Sequence, residues 1–297
     1  MRILLTGATG QLGSELQRSL SSFRQLITLG THDTHYCGNL LHTNQLIKTL
    51  KQIRPGVIVN AAAFTAVDQA ENNTETARQV NAVGPGILAH EAADSGAWLI
   101  HYSTDYVFNG TGSQPWVEKD RADPLNVYGQ TKLEGDLAIQ ASGCKHLILR
   151  TSWMYGRQGN NFIRAILQQA QTQDHLAVVN DQFGAPTSTS LIANLTAHAL
   201  EQVMQRPELG GLYHVAAKGE TSWFGYAQFV LEQAHLNGIP LRVMSDEIQP
   251  VSSQDYGALA PRPANSRLDT NKFCANFGVV LPPWQEGVAQ FVAELAQ

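Results

Sequence analysis

Short apolar, β-branched runs alternate with longer amphipathic stretches through the first half of the chain. The runs fall at 3–5, 26–29, 57–59, 98–100 and 147–149. Consecutive apolar positions suit strands buried on both faces, as inside a parallel sheet. Between them, helical spacing marks 12–20, 43–51, 75–95 and 131–140. This alternation predicts an α/β domain over residues 1–150, a doubly wound parallel sheet with helices on both faces. Beyond 150 the pattern loosens, with Asn- and Gly-rich turns at 156–161, 180–186 and 210–211 and a Pro-rich stretch at 260–263. Residues 151–297 therefore read as a smaller α+β domain, although a helix near 190–205 could return to the sheet. The last helix is expected over 284–295, after Pro282-Pro283, since Pro suits a helix entry.

Directly after the first run stands Gly7-Ala8-Thr9-Gly10-Gln11-Leu12-Gly13. A strand, a tight turn and a helix N-terminus in this order can hold a pyrophosphate on backbone N–H groups, and glycine permits both the turn and the close packing. A lone glycine trio is weak, but its place between strand and helix is right for a dinucleotide. Such folds often carry a carboxylate at the end of the second strand for the adenosine ribose. Here that position is Gly30, with Asp33 three residues on. Without a fixed charge there, NADPH is expected to serve at least as well as NADH. The small residues of Asn60-Ala61-Ala62-Ala63 suit either a flat cofactor seat or helix packing.

Tyr128 and Lys132 stand four apart at the start of an expected helix and so share a face. A phenol titrates near pH 10, so proton exchange near neutrality asks for a displacement of about 3 pH units, roughly 4 kcal/mol. A nearby ammonium and hydrogen bonds can supply this order of energy. Alone, the pair reads rather as a surface Tyr-Lys contact. Ser103-Thr104-Asp105-Tyr106 follows the run at 98–100, at the strand end where open sheets place ligands, with Thr104 standing 24 residues before Tyr128. Singly this is a turn or helix cap; with the glycines and the Tyr-Lys pair it becomes a catalytic set of Thr104, Tyr128 and Lys132.

Composition narrows the partners. The 297 residues are 43% apolar and 15% charged, with a formal net charge of -5, which suits a globular protein and argues against a nucleic-acid binder. Cys37, Cys144 and Cys274 lack disulfide or zinc spacing. The opening apolar run is too short for a signal peptide, and no run approaches membrane-spanning length. A cytoplasmic protein acting on a small molecule is expected.

These motifs, with Tyr102-Ser103-Thr104-Asp105-Tyr106-Val107-Phe108, Arg150-Thr151-Ser152-Trp153, Asn180-Asp181-Gln182-Phe183-Gly184-Ala185-Pro186-Thr187 and Arg262-Pro263-Ala264-Asn265-Ser266, resemble the extended short-chain dehydrogenase/reductase family over nearly the whole length. The likeness is greatest to its branch that completes dTDP-L-rhamnose synthesis. It implies a Rossmann-type sheet with a smaller substrate-binding domain, and NADPH- or NADH-dependent reduction of the 4-keto group of a dTDP-deoxysugar, dTDP-4-dehydro-L-rhamnose. Cofactor contacts are implied at Gly7, Gly10, Gln11, Leu12, Gly13, Asn39, Leu40, Ala62, Ala63, Phe64, Tyr128 and Lys132. Substrate contacts are implied at Thr65, Thr104, Asp105, Tyr128, Trp153, Arg262 and Asn265, with Tyr128 as proton donor and Arg262 facing the diphosphate. Some relatives are dimers bridged by Mg²⁺; here Glu15 is present, but Ser190 and Asn194 stand where carboxylates are needed, so that site is expected to be lost and the chain to be a monomer or homodimer. The rival readings are another nucleotide-sugar 4-ketoreductase or an epimerase, and a non-catalytic NADP-binding subunit of the kind that regulates methionine adenosyltransferase. A 4,6-dehydratase is disfavoured because Tyr106 replaces its Glu.

Overall fold

The computed structural model describes residues 2–23 and 25–297. Six parallel strands form its central sheet: β1 (Arg2–Thr6), β2 (Gln25–Leu29), β3 (Val57–Asn60), β4 (Trp98–Thr104), β5 (Lys145–Thr151) and β6 (Gly211–His214), in the order β6-β5-β4-β3-β1-β2. Each expected strand of the first half is present. Alternate residues serve opposite faces: Ile3 and Leu5 enter one core and Leu4 the other, all fully buried. Helices α1 (Gln11–Ser19) and α5 (Thr189–Gln205) cover the first face through Leu12, Leu16, Ile192 and Leu200. Helices α2 (Thr43–Ile53), α3 (Gly84–Ser95) and α4 (Val127–Ala141) cover the second through Leu46, Leu50, Leu88 and Ile139.

The chain leaves β1 toward β2 on one side and returns to β3 on the other. The strand ends part at this reversal and open a crevice, the usual ligand site of a doubly wound sheet. Beyond residue 150 the chain alternates between layers. Helix α5, strand β6 and the side chains Phe273, Phe277 and Leu281 belong to the sheet's core. Helices Phe162–Thr172, Trp223–Leu236 and Trp284–Leu295 instead enclose a second core around Tyr155, Tyr226 and Val288. Short strand pairs brace this second lobe.

The helix expected over 75–95 divides in three: Thr74–Arg78, a π-helical turn Gln79–Val83, and α3. Pro85 has no N–H to return to the Asn81 carbonyl, which removes one bond of a regular α-helix. Wide turns of this kind favour functional regions, and this one turns Asn81 inward to full burial. No helix among the described residues is long and apolar enough to cross a membrane.

Candidate active site

The crevice has a volume of about 450 Å³, in the range of small-molecule sites. Gly10, Gln11 and Leu12 form one end, Asn60, Ala61, Ala62 and Ala63 the floor, and Thr104, Asp105, Tyr128, Lys132 and Trp153 the other end, with Thr65 on the rim. Most of the residues expected from sequence therefore meet at one place. Gly7 and Gly13 lie behind the wall. Gly7 takes φ +71°, and Gly13 rests against it so closely that a Cβ would stand 2.0 Å from the Gly7 carbonyl oxygen.

Helix α4 carries Tyr128 and Lys132 because Asn126 caps it: its side-chain oxygen accepts from the Gly129 N–H at 2.8 Å and its amide donates to the Pro261 carbonyl at 2.8 Å. A Cβ on Gly129 would stand 2.1 Å from the Tyr106 carbonyl, so glycine alone lets the helix start press on the end of β4. That approach brings the Tyr128 ring edge-on to Tyr106, with centroids 5.5 Å apart. Burial pushes the Tyr128 phenol above its ordinary range, while the Thr104 hydroxyl pulls the other way. The phenol is thus held protonated.

Thr104 donates to Asp105 Oδ1 at 3.1 Å and accepts from the Tyr106 N–H at 3.2 Å. The other Asp105 oxygen is buried without a partner, an arrangement that a ligand hydroxyl can satisfy. Burial raises the Asp105 carboxyl to about 7, against the opposing pull of the nearby Ser266 and Thr104 hydroxyls. The folded chain therefore binds this proton more tightly than the unfolded chain does. The burial penalty is absent below about pH 4 and grows as pH rises toward 7. Asp105→Asn, which never ionises, should raise Tm at pH 8 and leave it unchanged near pH 4, as thermal melts at the two values will show. An equal gain at both pH values would place the effect in packing.

At the end of β2, the carboxylate noted three residues after Gly30 bears on the choice of cofactor. Gly30 is not without a charge beside it: its N–H donates to the Asp33 carboxylate. A negative charge thus stands at the end of β2 after all, where a phosphate on the ribose would be repelled and ribose hydroxyls would be accepted. NADH should be favoured over NADPH. Asp33→Ser should raise the ratio of kcat/KM for NADPH to that for NADH by about fivefold, since one removed charge is worth about 1 kcal/mol near water. An unmoved ratio in steady-state assays would remove Asp33 from cofactor selection.

Other expected contacts are engaged elsewhere. Arg262 is not a free cation; its guanidinium pairs with both Asp68 oxygens, at 2.7 and 2.8 Å. Asn265 is buried, its amide donating to the Gln114 carbonyl at 2.8 Å and its oxygen accepting from Arg267, so it joins two loops. Leu40 packs in the core, and Asn39 accepts from the Leu41 N–H at 3.0 Å. Phe64 has its backbone held on both sides by the Asn81 amide, at 2.8 and 3.0 Å. Glu15 is paired with Arg18 at 2.5 Å, Ser190 is exposed, and Asn194 accepts from Ser19 at 2.8 Å.

Sequence reading did not find the buried groups behind the crevice. Lys132 donates to the Tyr102 carbonyl at 2.6 Å and meets His101 at 3.1 Å, and His101 meets Asn60 at 3.0 Å. Below them Asp136 accepts from Ser103 at 2.9 Å and from Arg150 at 3.0 Å. Nor did it find that Trp153 sits at φ 45°, unusual for a bulky residue, with its ring stacked 3.8 Å from Trp223.

The RmlD substrate binding domain family matches residues 1–297. The dTDP-4-dehydrorhamnose reductase of Escherichia coli K12 is 50% identical over 295 residues, covering 99% of this chain and 98% of that one. A crystal structure of a dTDP-4-dehydrorhamnose reductase from Clostridium acetobutylicum superposes with a TM-score of 0.89, at 33% identity and with all of both chains covered. That of the Bacillus anthracis reductase, in complex with NADP, gives 0.87 at 32% identity over 99% of each chain.

Proposed function

The chain belongs to the dTDP-4-dehydrorhamnose reductase family, and on that premise we propose how its residues divide the reduction of dTDP-4-dehydro-L-rhamnose to dTDP-L-rhamnose. It is an NAD(P)H-dependent oxidoreductase. The residues fit such a cofactor: no side chain caps the N-terminus of α1 and no acidic residue lies in its first turn, which leaves N–H groups for a pyrophosphate. Gly10, Gln11 and Leu12 would receive that group, Ala62 and Ala63 would support the flat part of the dinucleotide, and Asp33 would take the adenosine ribose. When bound, the reduced nicotinamide supplies a hydride.

Tyr128 gives its proton to the oxygen of the ketone as that oxygen gains charge, and Thr104 orients the same oxygen by turning its hydroxyl from Asp105. Asp105, with one oxygen unpartnered, accepts a sugar hydroxyl, and Trp153 covers the sugar. Lys132 steadies the tyrosinate left behind. Tyr106 stays neutral, because burial raises its phenol, so nothing at that position acts as the carboxylate of an elimination. Two diffusible nucleotides as co-substrates favour a cytoplasmic setting.

The observation that carries this reading is the single crevice with the glycine turn at one end and Thr104, Asp105 and Tyr128 at the other. The test is incubation with dTDP-4-dehydro-L-rhamnose and NADH or NADPH. Oxidised cofactor should form in proportion to dTDP-L-rhamnose. Sugar turnover with the cofactor unchanged at the end would make the protein an epimerase, and tight cofactor binding without turnover a regulatory subunit.

A further inference from the structure

One short helix at the rim of the crevice holds two other pieces of the chain. The helix Val67–Asn72 starts at the crevice wall, which Val67 lines. Asp68 and Glu71 stand three apart on it and so share a face. Glu71 Oε1 accepts from the Val127 N–H at 2.9 Å. Val127 is the first residue of α4 and Tyr128 the second, and the first N–H groups of a helix have no partner within it. Asp68 Oδ1 accepts from the Ala260 N–H at 2.9 Å, and its two oxygens take the Arg262 fork at 2.7 and 2.8 Å. The segment 260–262 is fixed to α4 in turn, since Asn126, the cap of that helix, donates to the Pro261 carbonyl at 2.8 Å. Rim helix, segment 260–262 and catalytic helix thus form a triangle closed by side-chain bonds on all three sides.

We propose that Asp68 and Glu71 are positioning residues for the reduction: the triangle they close fixes the first turn of α4, and with it the Tyr128 phenol, at the place where the ketone is reduced. The proposal rests on the function given above. Helix ends fray, and the turn that carries Tyr128 cannot anchor itself by its neighbour's side chain, because the close approach to the Tyr106 carbonyl leaves room only for Gly129. The two N–H groups on either side of Tyr128 are held from outside instead. Glu71 takes that of Val127, and Asn126 takes that of Gly129 at 2.8 Å.

The Asp68 corner reaches the same tyrosine by a second route. Arg262 lies near enough to the Tyr106 phenol to act on its charge, and the Tyr106 ring is the edge-on partner of Tyr128. An ion pair open to water holds little by its charge alone, and the Asp68 side chain is half exposed. Direction comes from the bidentate fork and from the Ala260 N–H, which together admit one arrangement. The Arg262 guanidinium holds the Asp68 carboxyl below the usual carboxylate range, so this corner stays closed at neutral pH. Past Arg262 the chain continues to the second lobe, where the Ala264 carbonyl accepts from the Phe183 N–H at 2.8 Å. The triangle therefore ties the catalytic helix to both lobes.

Three variants test this. Glu71→Ala removes the acceptor and should lower kcat by about tenfold to a hundredfold, as a displacement of up to about 1 Å does, while the Kd for NADH stays within about twofold. Glu71→Gln keeps an oxygen in place and should recover kcat to within about threefold of the parent. Asp68→Asn should raise KM for dTDP-4-dehydro-L-rhamnose by about fivefold. A fall in that KM would mean that Asp68 only restrains a cation meant for the ligand, and equal losses in Glu71→Ala and Glu71→Gln would mean that the side chain merely packs; either result overturns the proposal. Hydrogen exchange of the cofactor-free chain reads the triangle without turnover. Peptides covering the start of α4 should exchange at least about tenfold faster in Glu71→Ala than in the parent. Unmoved exchange there would overturn the proposal even in a chain that reduces the sugar, whereas a parent chain without turnover would overturn the function instead, so the two failures are told apart.

Discussion

Tyr128→Phe should lower kcat by about a thousandfold while the Kd for NADH and NADPH changes less than about threefold. The substitution removes one oxygen and keeps the ring, so the edge-on contact with Tyr106 at 5.5 Å persists and the α4 cap is untouched. What disappears is the phenol proton that Tyr128 holds beside Thr104 at the catalytic end of the crevice. A thousandfold loss is about 4 kcal/mol of transition-state stabilisation, the middle of the range for one general acid. Burial raises the phenol, with the Thr104 hydroxyl opposing, so the proton is present throughout neutral pH and reduction should not fall until conditions well alkaline of neutrality. Steady-state kinetics with cofactor titration by fluorescence separates the two parameters. Matching losses in kcat and cofactor affinity would make the hydroxyl an anchor for the dinucleotide and not a proton donor.

The residues that made the site legible in sequence all obey a local rule. Gly7, Gly10 and Gly13 follow a strand at turn spacing, Tyr128 and Lys132 share a helix face, and Thr104 ends a buried run. Each rule can be applied without knowing what lies across the fold. Lys132 shows the limit. Its spacing from Tyr128 placed the two on one helix face but gave no sign that Nζ also meets Tyr102 and His101 or that burial raises the phenol. His101 comes from β4 and Asn60 from β3, so no local pattern joins them to α4. The same holds for Asp68, which lies 194 residues before its partner Arg262; a basic residue beside prolines gave no hint of a carboxylate already bound. The loop-tying bonds of Asn265 were hidden for a related reason, since they join it to Gln114, 151 residues earlier. The break at 79–83 was hidden because Pro85 is tolerated at a helix start, and only the fold reveals that the start lies there.

Gly13→Ala should lower Tm by roughly 6–10 °C and weaken NADH and NADPH binding more than about a hundredfold. The added methyl would stand 2.0 Å from the Gly7 oxygen and 2.8 Å from the Ala8 Cα. Both are backbone atoms, so no rotamer relieves the contact and α1 must move off the turn by more than about 1 Å. Leu12 and Leu16, buried on the sheet, move with it, which loosens the core. The first N–H groups of α1 move as well, and a displacement of this size breaks hydrogen bonds to a bound pyrophosphate. Gly10→Ala separates the two effects. Its methyl would stand 3.3 Å from the same oxygen, a tight but tolerable contact, so the fold should survive. Gly10 nevertheless lines the crevice, and a methyl there would occupy the space of the phosphates. Its Tm should stay within a few degrees of the parent while cofactor affinity falls, as calorimetry and fluorescence titration will report. If Gly13→Ala melts early yet binds NADH normally after mild refolding, the turn serves only to pack helix on sheet and the pyrophosphate must be held elsewhere.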